Sequence, residues 1–271
     1  RIPRTGCMPL CPSLDKIGPI CRYVDDSGLI LEVLNQFDPM DRGSIDAPFI
    51  YSNKLTEEKF RIGYLENDFG DQKEDIFNRT TAQKIFSLGH EKIAIKLSDF
   101  PFECLIGTLY AEAAASFENI TLGDTDDTLT RQDSGAWPNA FRKARFLSAV
   151  DHVQLDRLRM IAIDEMNAFF EDVDFIVGPM AVNSMLIVSN FTGHPCLQIP
   201  VGFEELATRN ELSLASGKLE LGAPSDHGKK HLVPRGVSIW APLFQEDKLI
   251  NFGKHIESLF EFFKNKPPNF S

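Results

Sequence analysis

The feature that most constrains this chain is a repeated change of hydrophobic period between residues 60 and 117. Phe60-Arg61-Ile62-Gly63-Tyr64-Leu65 alternates like a strand, and Asp71 to Leu88 then reads as a helix that stops at Gly89, a residue suited to a left-handed cap. Glu91 to Leu97 alternates again, with Ile93, Ile95 and Leu97 on one side. A mostly apolar stretch from Phe102 to Phe117, rich in alanine, reads as a largely buried helix. Strand, helix, strand, helix is the order of an α/β domain, because each element must bury its apolar face against one of the other kind.

The flanking segments extend that order. Residues 1–22 carry Pro and Cys without helical period and read as extended loop; Asp26-Ser27 then opens a helix with Ile30, Val33, Leu34 and Phe37 on one face. Asp38-Pro39 ends it, since proline cannot continue a helix and restricts the residue before it. After an Asp- and Thr-rich surface stretch over 119–139, helical period returns at Phe141. Leu155, Leu158, Ala162, Met166 and Phe169 then fall at steps of three and four, which predicts one long helix reaching Phe170. Asp174-Phe-Ile-Val-Gly-Pro179, Cys196-Leu-Gln-Ile-Pro-Val201 and Val237-Ser-Ile-Trp240 read as short buried strands. Residues 204–235, polar with Gly and Pro, read as a surface excursion. A last helix carries Leu249, Phe252, Ile256, Leu259 and Phe263 on one stripe.

Charge and composition exclude some functions. A net charge of −11 without any basic run longer than Lys229-Lys230 argues against a phosphate-binding surface, so no nucleic-acid partner is expected. No run approaches the roughly eighteen apolar residues of a membrane span. Of the five cysteines, Cys7 and Cys11 have the spacing of half a zinc site with no second pair, so no metal is expected. Asp124-Thr-Asp-Asp127 lacks the Gly and the closing Glu of a calcium loop, and His227 and His231 have only Asp226 nearby. Unpaired thiols favour a reducing, cytoplasmic compartment. The sequons at Asn78, Asn119, Asn190 and Asn269 leave secretion open, so no localisation is assigned. The chain opens at Arg1 without a methionine, so any address signal is expected upstream.

Four stretches, in order, resemble the amidase signature family, the Ser-Ser-Lys amide hydrolases that include amidotransferase A subunits. They are Pro12-Ser-Leu-Asp-Lys-Ile-Gly-Pro-Ile-Cys-Arg22 with Asp38-Pro-Met-Asp41, and the helical run Arg145 to Arg159. Then come Asp174 to Pro179 leading to Asn190-Phe-Thr-Gly-His-Pro195 and Ile199-Pro-Val-Gly-Phe203, and finally Gly236-Val-Ser-Ile-Trp-Ala-Pro-Leu-Phe244 with its terminal helix. The resemblance implies an α/β fold with a mixed sheet layered with helices, residues 1–271 forming the C-terminal portion of one amidase domain. It implies hydrolysis of a carboxamide C–N bond through an acyl-serine intermediate, with no metal or organic cofactor.

That chemistry needs a serine nucleophile, a second serine as relay and a lysine base. The family carries the serines in a Gly- and Ser-rich segment that also holds the oxyanion. No Gly-Gly-Ser-Ser-like run occurs here, and by order that segment is expected upstream of Arg1. The expectation is therefore no catalytic residue in this chain and no activity of the chain alone. The substrate-binding candidates are Arg145, Asn183, Asn190, Thr192 and Gly193. Arg145 occupies the place of a helix arginine that can hold a substrate carboxylate, or else serves the helix surface. Asn183 stands where glutaminase members carry an aspartate for a substrate amino group; an amide supplies no charge, which turns the expectation toward a neutral or differently charged amide. The rival reading is a non-catalytic amidase-like binding or partner subunit. The expected partner is a small-molecule amide in the full-length protein. An unpaired sheet edge and apolar helix faces leave homodimerisation open.

Overall fold

The computed structural model describes residues 1–65, 76–180, 183–207, 210–213, 220–222 and 228–265. Strands β1 (Arg61–Leu65), β2 (Glu91–Ile95), β3 (Phe175–Pro179), β4 (Cys196–Ala207) and β7 (Lys230–Trp240) form a sheet in the order β2-β1-β3-β7-β4. β1 runs parallel to β2 and β3, while β7 is antiparallel to β3 and to β4. The sheet is mixed, and helices cover both faces. β5 (Asn210–Ser213) and β6 (Glu220–Gly222) pair with one another apart from it.

One face is covered by α1 (Val24–Leu34), α2 (Ile76–Phe86) and α8 (Glu246–Phe260). Val24, Ile85, Leu249, Phe252 and Ile256 pack there with Ile62, Phe175, Val177, Ile199 and Ile239 of the sheet. The Phe175 and Phe252 rings stack at 4.8 Å, and α8 lies so close to β4 that a Cβ on Gly253 would stand 2.3 Å from Leu197 Cδ2. The stripe expected for the last helix is the buried one, with Phe263 just beyond it in a 3-10 turn. The other face is covered by α3 (Ile106–Ser116), α6 (Ala149–Asp172) and α7 (Asn183–Thr192). Met166, Met185, Val188 and Phe191 meet Ile176 and Trp240 there. α4 (Glu118–Leu122) and α5 (Trp137–Ala144) sit outside, with Phe141 packed on Ala113 and Ala114.

Four expectations are corrected. The long helix from Phe141 is two helices, α5 and α6. Ser148 is extended and its hydroxyl accepts the Asp151 N–H at 3.0 Å, an N-cap that starts a new helix where the apolar pattern alone runs on. The Phe102 stretch begins as a 3-10 turn over Phe102–Leu105 before α3. The helix expected at Asp26 starts at Val24, and it packs through Val24 and Leu31. The anticipated core face is exposed instead, with Ile30 at 39%, Val33 at 68% and Phe37 at 56%. Finally, 204–235 is not wholly loop: β4 and β7 continue paired as far as Ala207 and Lys230, with an ion pair between Glu204 and Arg235. Of the other sequence readings, the start of the second helix at Asp71, His227 and the sequon at Asn269 lie outside the described residues.

Candidate functional site

The first family-like stretch is held as a turn. The Asp15 carboxylate accepts the N–H groups of Leu10 at 2.8 Å and Cys11 at 3.1 Å, and Leu14 N–H bonds the Cys11 carbonyl at 2.8 Å. Glu112, on α3, accepts the Ser13 N–H at 2.8 Å and the Cys11 thiol at 3.3 Å. These ties aim Lys16 at the end of α7, where its ammonium donates to Asn190 Oδ1 at 2.5 Å. Asn190 Nδ2 in turn donates to the Leu186 carbonyl, one turn back along the same helix, at 2.6 Å. The Lys16 residue as a whole is exposed, yet its ammonium end is crowded by protein atoms. That desolvation pulls its pKa below the ordinary lysine value against the opposing attraction of Asp15, with Arg159 adding a smaller push downward.

Arg159, on α6, ties three parts together. Its Nε donates to the Phe191 carbonyl at 2.7 Å, its Nη2 donates to the Ser13 carbonyl at 3.3 Å, and its guanidinium lies over the Phe191 ring at 5.8 Å. Beyond Phe191, Gly193 has φ +80, the left-handed conformation that favours glycine, and it ends α7. Thr192 and His194 flank it, both buried, with Thr192 Oγ1 2.8 Å from His194 Nδ1. The imidazole stacks on Phe170 at 5.1 Å, and burial lowers its pKa to about 4. It is a neutral ring at physiological pH, and it holds the turn by packing and one hydrogen bond.

The turn delivers the chain into β4. Leu197, Ile199 and Val201 face the core under α8, while Cys196, Gln198 and Pro200 point to the other face and are exposed. Gln198 pairs in register with Ser238 of β7, which is buried. This leaves an open patch of sheet, and the Lys16 ammonium lies near enough to Cys196 to act on its thiol.

Two thiols near this patch are poor nucleophiles. Cys11 is pushed up to about 12 by burial and by its bond to Glu112. Cys196 is partly exposed at the sheet edge, but burial of its thiol pushes it up to about 12, against a smaller opposing pull from Ser238 and the Ile239 N–H. At neutral pH both are protonated, so neither supplies the thiolate that attack on a carbonyl needs.

Of the residues singled out from sequence, Asn190, Thr192 and Gly193 come together at the end of α7. Asn183 opens the same helix, but its side chain lies outside the described residues. Arg145 sits at the end of α5 and pairs with Glu118 at 3.1 Å. Lys16, Arg159 and Gln198 were not singled out. Lys16 and Arg159 lie inside the family-like stretches and Gln198 between two of them, the one hint the sequence holds, because contact across such separations leaves no periodic trace. Among the described residues no three His, Cys, Asp or Glu gather at metal-binding distance, and no helix is long and apolar enough to cross a membrane.

Comparison with known proteins adds three findings. The family model described as Amidase matches residues 1–250. The A subunit of glutamyl-tRNA(Gln) amidotransferase from Synechococcus sp. (strain RCC307) is 24% identical over 98% of this chain and 59% of the relative. Its counterpart from Pseudomonas syringae pv. tomato (strain ATCC BAA-871 / DC3000) is 26% identical over 100% of this chain and 60% of the relative. Among solved structures, an amidase family protein from Bacillus anthracis str. Ames superposes with a TM-score of 0.73 at 20% identity, over 99% of this chain and 53% of that one. The native peptide amidase from Stenotrophomonas maltophilia gives 0.68 at 18% identity, over 100% and 58%. The chain thus spans about 60% of the length of the curated relatives it matches.

Proposed function

This chain belongs to the amidase family, and from that premise we propose that it is part of an enzyme hydrolysing a carboxamide C–N bond through an acyl-serine intermediate. The observation that carries the reading is a pairing of facts: a family match over residues 1–250, and the absence of any Gly-Gly-Ser-Ser-like run from the sequence. In this reading the nucleophile, its relay serine and the lysine base come from polypeptide other than these 271 residues, and the chain alone is inactive. The two protonated thiols near the open patch support that view, since neither replaces the serine.

The role of this chain is then positioning. Asn190, Thr192 and Gly193 shape one wall, with Lys16 and Arg159 fixing the end of α7 against the turn at Asp15. Asn183 and Arg145 complete the binding set. Asn183 cannot supply a negative charge for a substrate ammonium, so a neutral or differently charged small amide fits better than glutamine. The relatives are named as subunits, which supports a protein partner as well. The acidic balance counts against a large contact with RNA.

The test uses a fluorophosphonate serine probe and a panel of primary amides, applied to the native protein from its source cells and to the 271-residue chain. Expected are labelling of a serine in a Gly/Ser-rich peptide outside this sequence, hydrolysis by the native protein, and neither from the chain alone. Hydrolysis by the chain alone would overturn the assignment of the nucleophile. A native protein that neither labels nor hydrolyses would instead be a binding or partner subunit on an amidase scaffold.

A further inference from the structure

The segment carrying Arg4 to Ile17 folds against residues 40–42 and forms an open cavity of about 480 Å³. Its charged lining is Arg4, Asp15, Lys16, Asp41 and Arg42, three cations against two carboxylates, in a chain whose net charge is −11. The local pairing sharpens that excess. Arg4 is taken up by Asp41, with Nη2 3.2 Å and Nε 3.3 Å from its oxygens, and by the carbonyls of Pro12 and Asp15. The Arg4 guanidinium first, and then the backbone N–H groups of Arg4 and Gly43 that Asp41 also accepts, hold its carboxyl down at about 2. Asp15 spends its Oδ2 on the Leu10 and Cys11 N–H groups.

Two cations remain without a carboxylate hydrogen bond. Lys16 donates to a neutral carboxamide oxygen, with its ammonium end desolvated, and Arg42 makes no hydrogen bond or ion pair among the described residues. The rest of the lining includes Met8, Ile17 and Met40, all well exposed. A lining of cations beside flexible apolar side chains suits an anion that carries an apolar body, and the volume falls within the range of small-molecule sites.

We propose that this cavity binds a small organic carboxylate, its charged end between Lys16 and Arg42 and its apolar body against Met8, Ile17 and Met40. Arg42 offers the planar fork that matches a carboxylate, and Lys16 a point charge beside it. The inference goes beyond amide hydrolysis and does not depend on it: the cavity lies wholly within this chain and binds with or without a serine nucleophile.

The experiment is calorimetric titration of the native protein, its reactive serine blocked with fluorophosphonate, with phenylacetate, with its neutral isostere phenylacetamide, and with inorganic phosphate as a compact anion. Phenylacetate is expected to bind at least about tenfold more tightly than either, because only it satisfies both the cations and the apolar lining. Arg42→Gln is expected to weaken it about fivefold or more, and adding Lys16→Met to abolish it; Arg42 holds no other group, so the fold survives its loss. A second readout is the Lys16 amine, whose pKa rises on phenylacetate binding by NMR titration. Equal affinity for acid and amide, equal affinity for phosphate, or an affinity unchanged by Arg42→Gln would each overturn the proposal. Absence of phenylacetate binding at millimolar concentration would overturn it too. None of these results bears on whether the native protein hydrolyses amides.

Discussion

Acidification is the perturbation that most directly probes the turn at the end of α7. His194 is 5% exposed, is stacked on Phe170 and bonds to Thr192, and burial lowers its pKa from 6.5 to about 4. The unfolded chain takes up a proton near 6.5, whereas the native state refuses it until about 4. Stability from this residue is therefore complete above 6.5 and is lost as pH falls toward 4. A gap of about two and a half pH units, at about 1.4 kcal/mol each, amounts to about 3.5 kcal/mol, of which about 3 kcal/mol is lost by pH 4. His90 is also depressed by burial, so the wild-type loss alone would mix both rings. Comparison with His194→Gln, neutral at every pH, removes the shared part. Urea midpoints between pH 7 and pH 4 should fall more steeply for the wild type, by about 3 kcal/mol. NMR of the His194 ring gives an independent titration midpoint if the variant folds poorly. Parallel losses in the two proteins, or a midpoint near 6.5, would refute the argument that burial keeps this ring neutral.

Gly253→Ala should cost about 1–3 kcal/mol, read as a lowered urea midpoint, because its Cβ would stand 2.3 Å from Leu197 Cδ2 and push α8 off β4. An unchanged midpoint would mean that Leu197 simply swings aside. Phe252→Ala, at a fully buried ring stacked on Phe175, should lower stability by about 3–5 kcal/mol in the same measurement. Val33→Lys combined with Phe37→Ser, on the exposed face of α1 and just past its end, should leave stability within about 0.5 kcal/mol.

What was legible in the sequence follows from burial. Phe175 to Pro179 is buried throughout, so its apolar run announces a central strand, and Ala162 and Met166 mark the inner face of α6 because one side of that helix meets the core. The break at Ser148 was hidden because apolar residues continue on both sides of it, and only the cap geometry separates the helices. The distal part of the β4–β7 ladder carries mostly polar residues with solvent access, so alternation is missing and the stretch reads as loop. The Ile30–Val33 face shows the reverse case: a helical stripe left largely exposed among the described residues. In the candidate site, Asn190 to Gly193 could be found because they sit together in sequence. Lys16 and Arg159 could not, since what brings them to α7 is the turn at Asp15 and the packing of α6, neither of which has a local signature.

The earliest residues of this sequence are fastened to the latest. Arg1 pairs with Glu246 at 2.8 Å, the Val24 N–H reaches Glu257 at 2.9 Å, and Arg22 donates to the carbonyls of Phe263 and Asn265. During vectorial synthesis the first fifty residues therefore emerge long before α8, the element that receives them. Until α8 appears, Val24 and Leu31 of α1 lack the face they pack against, and such segments are where nascent chains are held by chaperones or lost to aggregation. Contacts so distant in sequence also form late and slowly even in the finished chain. Emergence of α8 from the ribosome is then the event that lets residues 1–24 close onto the later elements of this chain.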